Sequence, residues 1–412
     1  MASSRSSRSL NERELRLWRV GPVLVLTFAA AVLAAGSVFY GLMVLLGFEE
    51  IDTTVKLDAR TLFDLVKLSF GVVAGAGALV ALVVAYRRQR VDEAGAHREA
   101  TRLHTERFSQ AVDKLGSDSP AVRLGGVHAL AGLSDDAPDD SLRQTCIDVL
   151  CAYLQLPFTP DPGEGPQHQE EHHRYLALRK VRHTILRLIG DHYRIPKGTH
   201  RSWQGCGLDL TGVTIDGQMS FADATFSGED VRFNNATFSG GDVRFDGATF
   251  SDSSVSFDDA TFSNGSVAFD CATFSGSEVY FHGAEFSGGW VSFDDATFSD
   301  GWVSFVGAEF SSGSVSLNSA KFTGSEVNFD NAEFSGGNVR FDDAEFSGGD
   351  VRFDDAEFSG ADVSFNNATF SGGNVRFNAS TGPAPSGLIQ AVGTPVPAEV
   401  RLHPDWHSSS TP

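Results

Sequence analysis

The spacing of apolar residues divides the chain into three regimes. Residues 20–48 are almost continuously apolar, and residues 68–86 form a second such run. From Val91 the pattern becomes helical: Ala94, Ala100, Leu103, Phe108, Ala111, Val112 and Leu115 share one face, and Gly116 ends it. Ser119-Pro120 offers an N-cap followed by proline at the first helical position, with Val122, Leu124, Val127, Leu130 and Leu133 along the next helix. A third helix is expected from Asp140 to Leu154, with Leu142, Cys146, Val149, Leu150 and Tyr153 inward. The stretch "LPFTPDPGEGPQHQEEHH" reads as a linker, and residues 175–189 as a fourth helix.

After Leu208 the period changes. Apolar centres fall at Leu210, Ile215, Phe221, Phe226, Phe233, Phe238, Phe245 and Phe250, and the series continues to Phe370 and Phe377. Their spacing settles into alternating fives and sevens. A smaller apolar residue stands two places before each, as Val231 before Phe233 and Ala236 before Phe238. The unit is V-x-F-x-x-A-x-F-S-x-x-x, and a spacing of two is strand periodicity. A strand with two inward residues cannot bury a core alone; stacked copies can, because each backbone pairs with the coil on either side. Identical neighbours are therefore a stacking rule. Phenylalanine builds the central ladder, valine and alanine fill beside it, and "SGGD", "DD" and "NN" supply turns.

Two coil lengths fit this unit. In a coil of 12 residues, Asp342 would lie directly over Asp354 and Arg340 over Arg352, with like charges ~4.8 Å apart. A four-faced coil of twice that length puts them on opposite sides and leaves more room for phenylalanine. The longer coil is preferred, giving roughly seven coils and a rod of ~34 Å.

The two apolar runs are expected to cross a membrane as a two-span hairpin, since a bilayer core needs ~20 such residues. Arg5, Arg8, Arg13, Arg16 and Arg19 precede the first run, and Arg87, Arg88 and Arg90 follow the second. That flanking excess places both termini on the cytoplasmic side of a multi-pass cell-membrane protein. Gly71 and Gly75, with Gly77, would let another helix approach, so a homo-oligomer through Gly71 and Gly75 is expected.

"LDLTGVTIDG" from Leu208, "ATFSG" at Ala224 and the recurring A-x-F series resemble the pentapeptide-repeat family. The resemblance spans about Leu208 to Asn378 and implies a right-handed, four-sided parallel β-helix. This chain departs from the family's simplest form by two extra residues per pair of pentapeptides. "RFSQAVDKLGSDSPAVRLGGVHALAGL" also resembles the helical part of bacterial membrane-anchored members, and "AVRLGGVHAL" looks like a HEAT or armadillo helix. The expected fold class is thus multidomain: a transmembrane hairpin, an α-helical middle and a β-helix. Its parts are a basic tail (1–19), the hairpin (20–86), a HEAT-like segment (87–155), a linker and helix (156–207), the solenoid (208–378) and a disordered tail (379–412), within which "LIQAV" could cap the open end of the solenoid.

Charge narrows the function. The chain carries a formal net charge of −21, and residues 208–378 hold 28 acidic against 6 basic side chains. Such a surface disfavours direct nucleic-acid binding. Cys146, Cys151, Cys206 and Cys271 lack metal or disulfide spacing and read as reduced thiols. His168, His172 and His173 lie in the linker without companion ligands. Asp258-Asp259, Asp294-Asp295, Asp342-Asp343 and Asp354-Asp355 look like paired carboxylates but recur as turn residues. With no nucleophile set, Walker loop or H-E-x-x-H motif, no enzyme activity, cofactor or metal is expected.

The leading expectation is a membrane-anchored scaffold that presents an acidic rod to a protein partner. One alternative is a DNA mimic acting on an enzyme such as gyrase, as some soluble members of the resembled family do. The other is calcium binding, which "SGGD" suggests although the period of twelve and the missing third glycine depart from the β-roll repeat. Tyr280, Trp290, Trp302 and Val306 interrupt otherwise polar outward positions and are the candidate partner contacts. The competing reading is that the tryptophans fold over turns to cover phenylalanine edges.

Overall fold

The computed structural model describes residues 20–45, 59–159, 161–228 and 230–408. It divides into two compact units, residues 1–99 and 100–412.

In the first unit lie α1 (Val20–Leu45) and most of α2 (Ala59–Leu115). Among the described residues no helix is long and apolar enough to cross a membrane. This corrects the expected transmembrane hairpin, the membrane-integrated assignment and the multi-pass localisation. Residues 68–86 are not a separate span. They belong to one uninterrupted helix of 57 residues that also carries Arg60, Asp64 and Lys67 before them and Arg87, Arg88 and Arg90 after them. Arg88 and Asp92 face each other one turn apart at 4.0 Å on that helix. A Cβ added at Gly71 or Gly75 would meet nothing within 4 Å, so both glycines look into open space. The arginines of residues 1–19 lie outside the described residues.

In the second unit the end of α2 packs with α3 (Pro120–Asp135), α4 (Asp140–Gln155) and α5 (Gln169–Tyr193). Ala111, Leu115, Val127, Leu130, Cys146 and Leu150 are buried as their spacing requires, whereas Ile147 and Leu154, outside the expected face, are buried and Leu142, Val149 and Tyr153 only half-buried. Leu103 and Val122, expected on the same faces, are exposed. Gly126 permits the closest crossing: a Cβ there would stand 2.6 Å from the Leu115 nitrogen. Asp139 caps α4 by accepting the Leu142 N–H at 2.9 Å, whereas Ser119 makes no side-chain cap and leaves the start of α3 to Pro120. α5 begins earlier than its apolar pattern, at Gln169, and His172 lies 2.6 Å from Asp161 in the linker.

From Leu208 the chain winds as a parallel β-solenoid with four strand columns per coil, hydrogen-bonded into a 14-stranded and a 12-stranded sheet. One column runs Leu208, Val231, Val255, Val279, Val303, Val327, Val351, Val375 and Val400 in register. The first coil is shorter by one residue. Beyond it, pairings such as Thr249↔Thr273 and the hydrogen bond from Asp354 to Asp330 fix the coil at 24 residues. Phenylalanines of successive coils stack with centroids 4.6–5.0 Å apart, which is the strand spacing. The rings therefore follow the backbone ladder, and rings from neighbouring faces meet edge-on, as Phe257 with Phe269 at 86°.

Both ends are closed. α5 lies over the first coil, with Tyr193 stacked on Phe226 at 5.5 Å and its hydroxyl donating to the Cys206 carbonyl at 2.8 Å. At the far end, residues 379–408 fold back where a disordered tail was expected. Val400 joins the Val375 rung, Leu388 and Val392 of α6 (Leu388–Val392) are buried, and Trp406 packs edge-on against Phe377 at 5.5 Å. Two exposed ring edges and an unpaired rung demand a cover, and this segment supplies it.

Candidate interaction surface of the solenoid

The side chains outside the phenylalanine ladder are ordered by the same register. In each Asp pair the second residue occupies the left-handed region, with φ of 55° at Asp259, 58° at Asp295 and Asp343, and 56° at Asp355. The first residue is tied to the next coil: Asp294 accepts the Asn318 N–H, and Asp342 the Asn366 N–H, each at 2.9 Å. Ser292, Ser316 and Ser364 donate their hydroxyls to Asp270, Asp294 and Asp342. These carboxylates stitch coils together and do not converge on a common point. Burial, with help from Asp294 and Asp246, pushes Asp270 above the usual carboxylate range, and burial does the same to Asp330.

The four candidate contact residues are not one patch. Trp302 stands in register with Glu278 on one side and Glu326 on the other, and Tyr280 with Ser304. Val306 lies one turn beyond Ser304, its carbonyl accepting the Gly283 N–H. These three share a face. Trp290 belongs to the other sheet, half a coil away, between Ser266 and Ser314. Trp290 and Trp302 are 44% and 40% exposed.

Charged neighbours complete the first face. The Tyr280 hydroxyl donates to Glu278 at 2.7 Å, and burial together with Glu278 pushes the phenol up to about 12. His282 packs beside Tyr280 at 5.0 Å and takes the place that Asp330 and Asp354 fill in later coils. In consequence the buried Ser304 hydroxyl lacks the carboxylate that its counterparts bond. Glu278, His282, Ser304 and Glu326 are the members sequence reading missed. Writing the chain in rows one coil long would have revealed them.

A second concavity, of about 1210 Å³, opens between the start of α4 and the first coil. Asp140, Gln144, Asp148, Lys197, Asp230 and Arg232 line it. Gln144 clamps Gly207 there, its Nε2 donating to the Gly207 carbonyl and its Oε1 accepting the Gly207 N–H, each at 2.9 Å, so the lining is partly a seam between helix and solenoid. Nearby, buried Cys146 and Cys151 are pushed up to about 11 and about 12 by desolvation and remain thiols. Cys271 is exposed at a turn position with φ of 58°. Among the described residues no three His, Cys, Asp or Glu side chains are grouped to hold a metal ion.

Residues 203–249 match the family described as pentapeptide repeats (9 copies). Among curated proteins and solved structures, none matches the chain. The family match and the solenoid together support a pentapeptide-repeat β-helix in the C-terminal part of the protein. They do not extend to an anchored architecture.

Proposed function

We propose that the protein is a non-catalytic interaction scaffold whose β-helix holds outward side chains at fixed heights for a protein partner. One observation carries this reading: on a face whose other strand positions are mostly polar, Trp302 is 40% exposed, with Val306 on its own coil and Tyr280 on the coil before. Exposed aromatics on a rigid support are the usual anchors of protein interfaces, because they bury much area at little cost in conformational freedom. The solenoid supplies rigidity through its stacked coils.

The acidity of the rod is compatible with mimicry of DNA. The first carboxylate of several Asp pairs is nonetheless turned to the next coil's backbone, which weakens any phosphate-like row. Calcium binding is the weaker alternative, because each of these bonds takes one oxygen, Oδ1, of the first carboxylate, and among the described residues no three His, Cys, Asp or Glu side chains are grouped to hold a metal ion.

Proximity labelling with the full-length chain tests the reading. A partner set lost in Y280S/W302S but kept in W290S, at unchanged melting temperature, supports it. Labelling that is identical in all three removes it.

A further inference from the structure

We infer that Glu278, Tyr280 and Trp302 form a receptor for an arginine side chain carried by the partner protein. This deepens the scaffold reading and rests on it.

The solenoid's own lattice supplies the argument. Since the register repeats every 24 residues, positions two repeats apart occupy the same point two coils later. At one such point the rod binds an arginine of its own. Arg352 reaches back to the preceding coil, with its guanidinium 2.6 Å from Asp330 and 3.4 Å from Glu326. Two coils earlier, Glu326 corresponds to Glu278, Arg352 to Ser304, Asp330 to His282 and Asp350 to Trp302.

At the earlier point the carboxylate is present and the arginine is missing. Ser304 is too short to reach Glu278. Among the described residues no cationic side chain of the protein pairs with Glu278, whose side-chain partner is the Tyr280 hydroxyl at 2.7 Å. That bond takes one carboxylate oxygen. In the place of the second acid, Asp330, stands His282, which faces Asp258 at 3.1 Å, and the exposed Trp302 takes the place of Asp350, with Glu326 on its far side.

A guanidinium suits this arrangement better than an ammonium. Its flat face stacks on an indole while its edge donates to a carboxylate, and it is less strongly hydrated. The surrounding surface, with 28 acidic and 6 basic side chains over residues 208–378, draws a basic segment toward the face.

The test titrates the full chain with capped hexa-arginine and hexa-lysine peptides near physiological salt, where charges beyond about 8 Å are screened. Calorimetry gives affinity, and indole emission reports on the tryptophans. Arginine should bind about fivefold more tightly than lysine. W302S, which changes no charge, should weaken the arginine peptide about fivefold, and E278Q by a similar factor. W302F should stay within about twofold, and W290S should match the unmodified protein. Should W302S melt early, the isosteric E278Q decides.

Equal affinity for the two peptides, no effect of W302S, or equal losses in W302S and W290S would each overturn the inference and leave diffuse charge attraction. If peptide binding ignores Trp302 while proximity labelling still depends on Tyr280 and Trp302, the arginine receptor falls and the scaffold stands.

Discussion

Asp354 accepts the backbone N–H of Asn378, one coil ahead, at 2.9 Å. The same bond joins Asp330 to Asp354 one coil before. At equivalent turn places Asn234 and Asn318 leave their Oδ1 atoms unpartnered. The bond therefore accompanies the carboxylate rather than the mere shape of the side chain.

Replacing Asp354 tests that distinction. D354N and D354A should each lower stability by about 1–2 kcal/mol, because both remove a charged acceptor facing a partly buried N–H. Chemical unfolding followed by far-UV circular dichroism measures it. A neutral D354N would show that the amide makes the same bond.

The phenylalanine ladder makes a second prediction. Phe293 is fully buried and stacks on Phe269 at 4.7 Å, while the next coil carries Leu317 in the same column. F293A should cost about 3–5 kcal/mol through lost burial and a residual cavity. F293L should cost less than half of that, as the column already accepts leucine. Equal losses, read from thermal or chemical unfolding, would mean that the aromatic stack itself is required.

Acid should loosen the joint between α5 and the solenoid. Burial alone would raise Asp216, but hydrogen bonds from His183 at 2.8 Å and Arg179 at 2.7 Å, with their charges, outweigh it and hold the carboxylate at about 2. A folded value below the unfolded one of ~3.9 stabilises the fold above pH ~4, and that contribution is lost as pH falls toward 2. Melting temperature between pH 5 and pH 2 should fall less steeply in D216N than in the unmodified protein. Parallel curves would show that Asp216 contributes no such linkage.

Removing residues 379–412 should expose the last rung and the Phe358 and Phe377 rings that Trp406 covers. The truncated chain is expected to melt lower and to self-associate with rising concentration, as uncovered strand edges do. Light scattering across a concentration series checks this. W406A alone should lower stability by about 3–5 kcal/mol without uncovering the Val375 rung.

Much of the solenoid was legible because a repeat states its own contacts. The alternating spacing of Phe233, Phe238, Phe245 and Phe250 named the inward residues, and all are buried. Repulsion between Asp342 and Asp354 in a shorter coil already favoured the longer one, and the strand pairings agree. The helical segment was readable at Val127, Leu130 and Leu150, where local period and tertiary burial coincide. It was misread at Leu103 and Val122, which stay exposed although they fall on the apolar face. The apolar runs at 20–48 and 68–86 suggested a membrane, a reading the helices do not support, because linear hydropathy ignores how far a helix continues into charged sequence.

The sequence by itself determined the stacking unit, the identity of the core and the acidic character of the rod, since each depends only on neighbours at fixed intervals along the chain. Tertiary structure alone decided the rest: that Glu278 has no cation of its own among the described residues, that α5 seals one end and that residues 379–408 seal the other. Those relations join residues a coil or more apart, or from unrelated segments. Which side chains meet across such distances is set by the closure of the coil and the packing of its ends, and no local period encodes it.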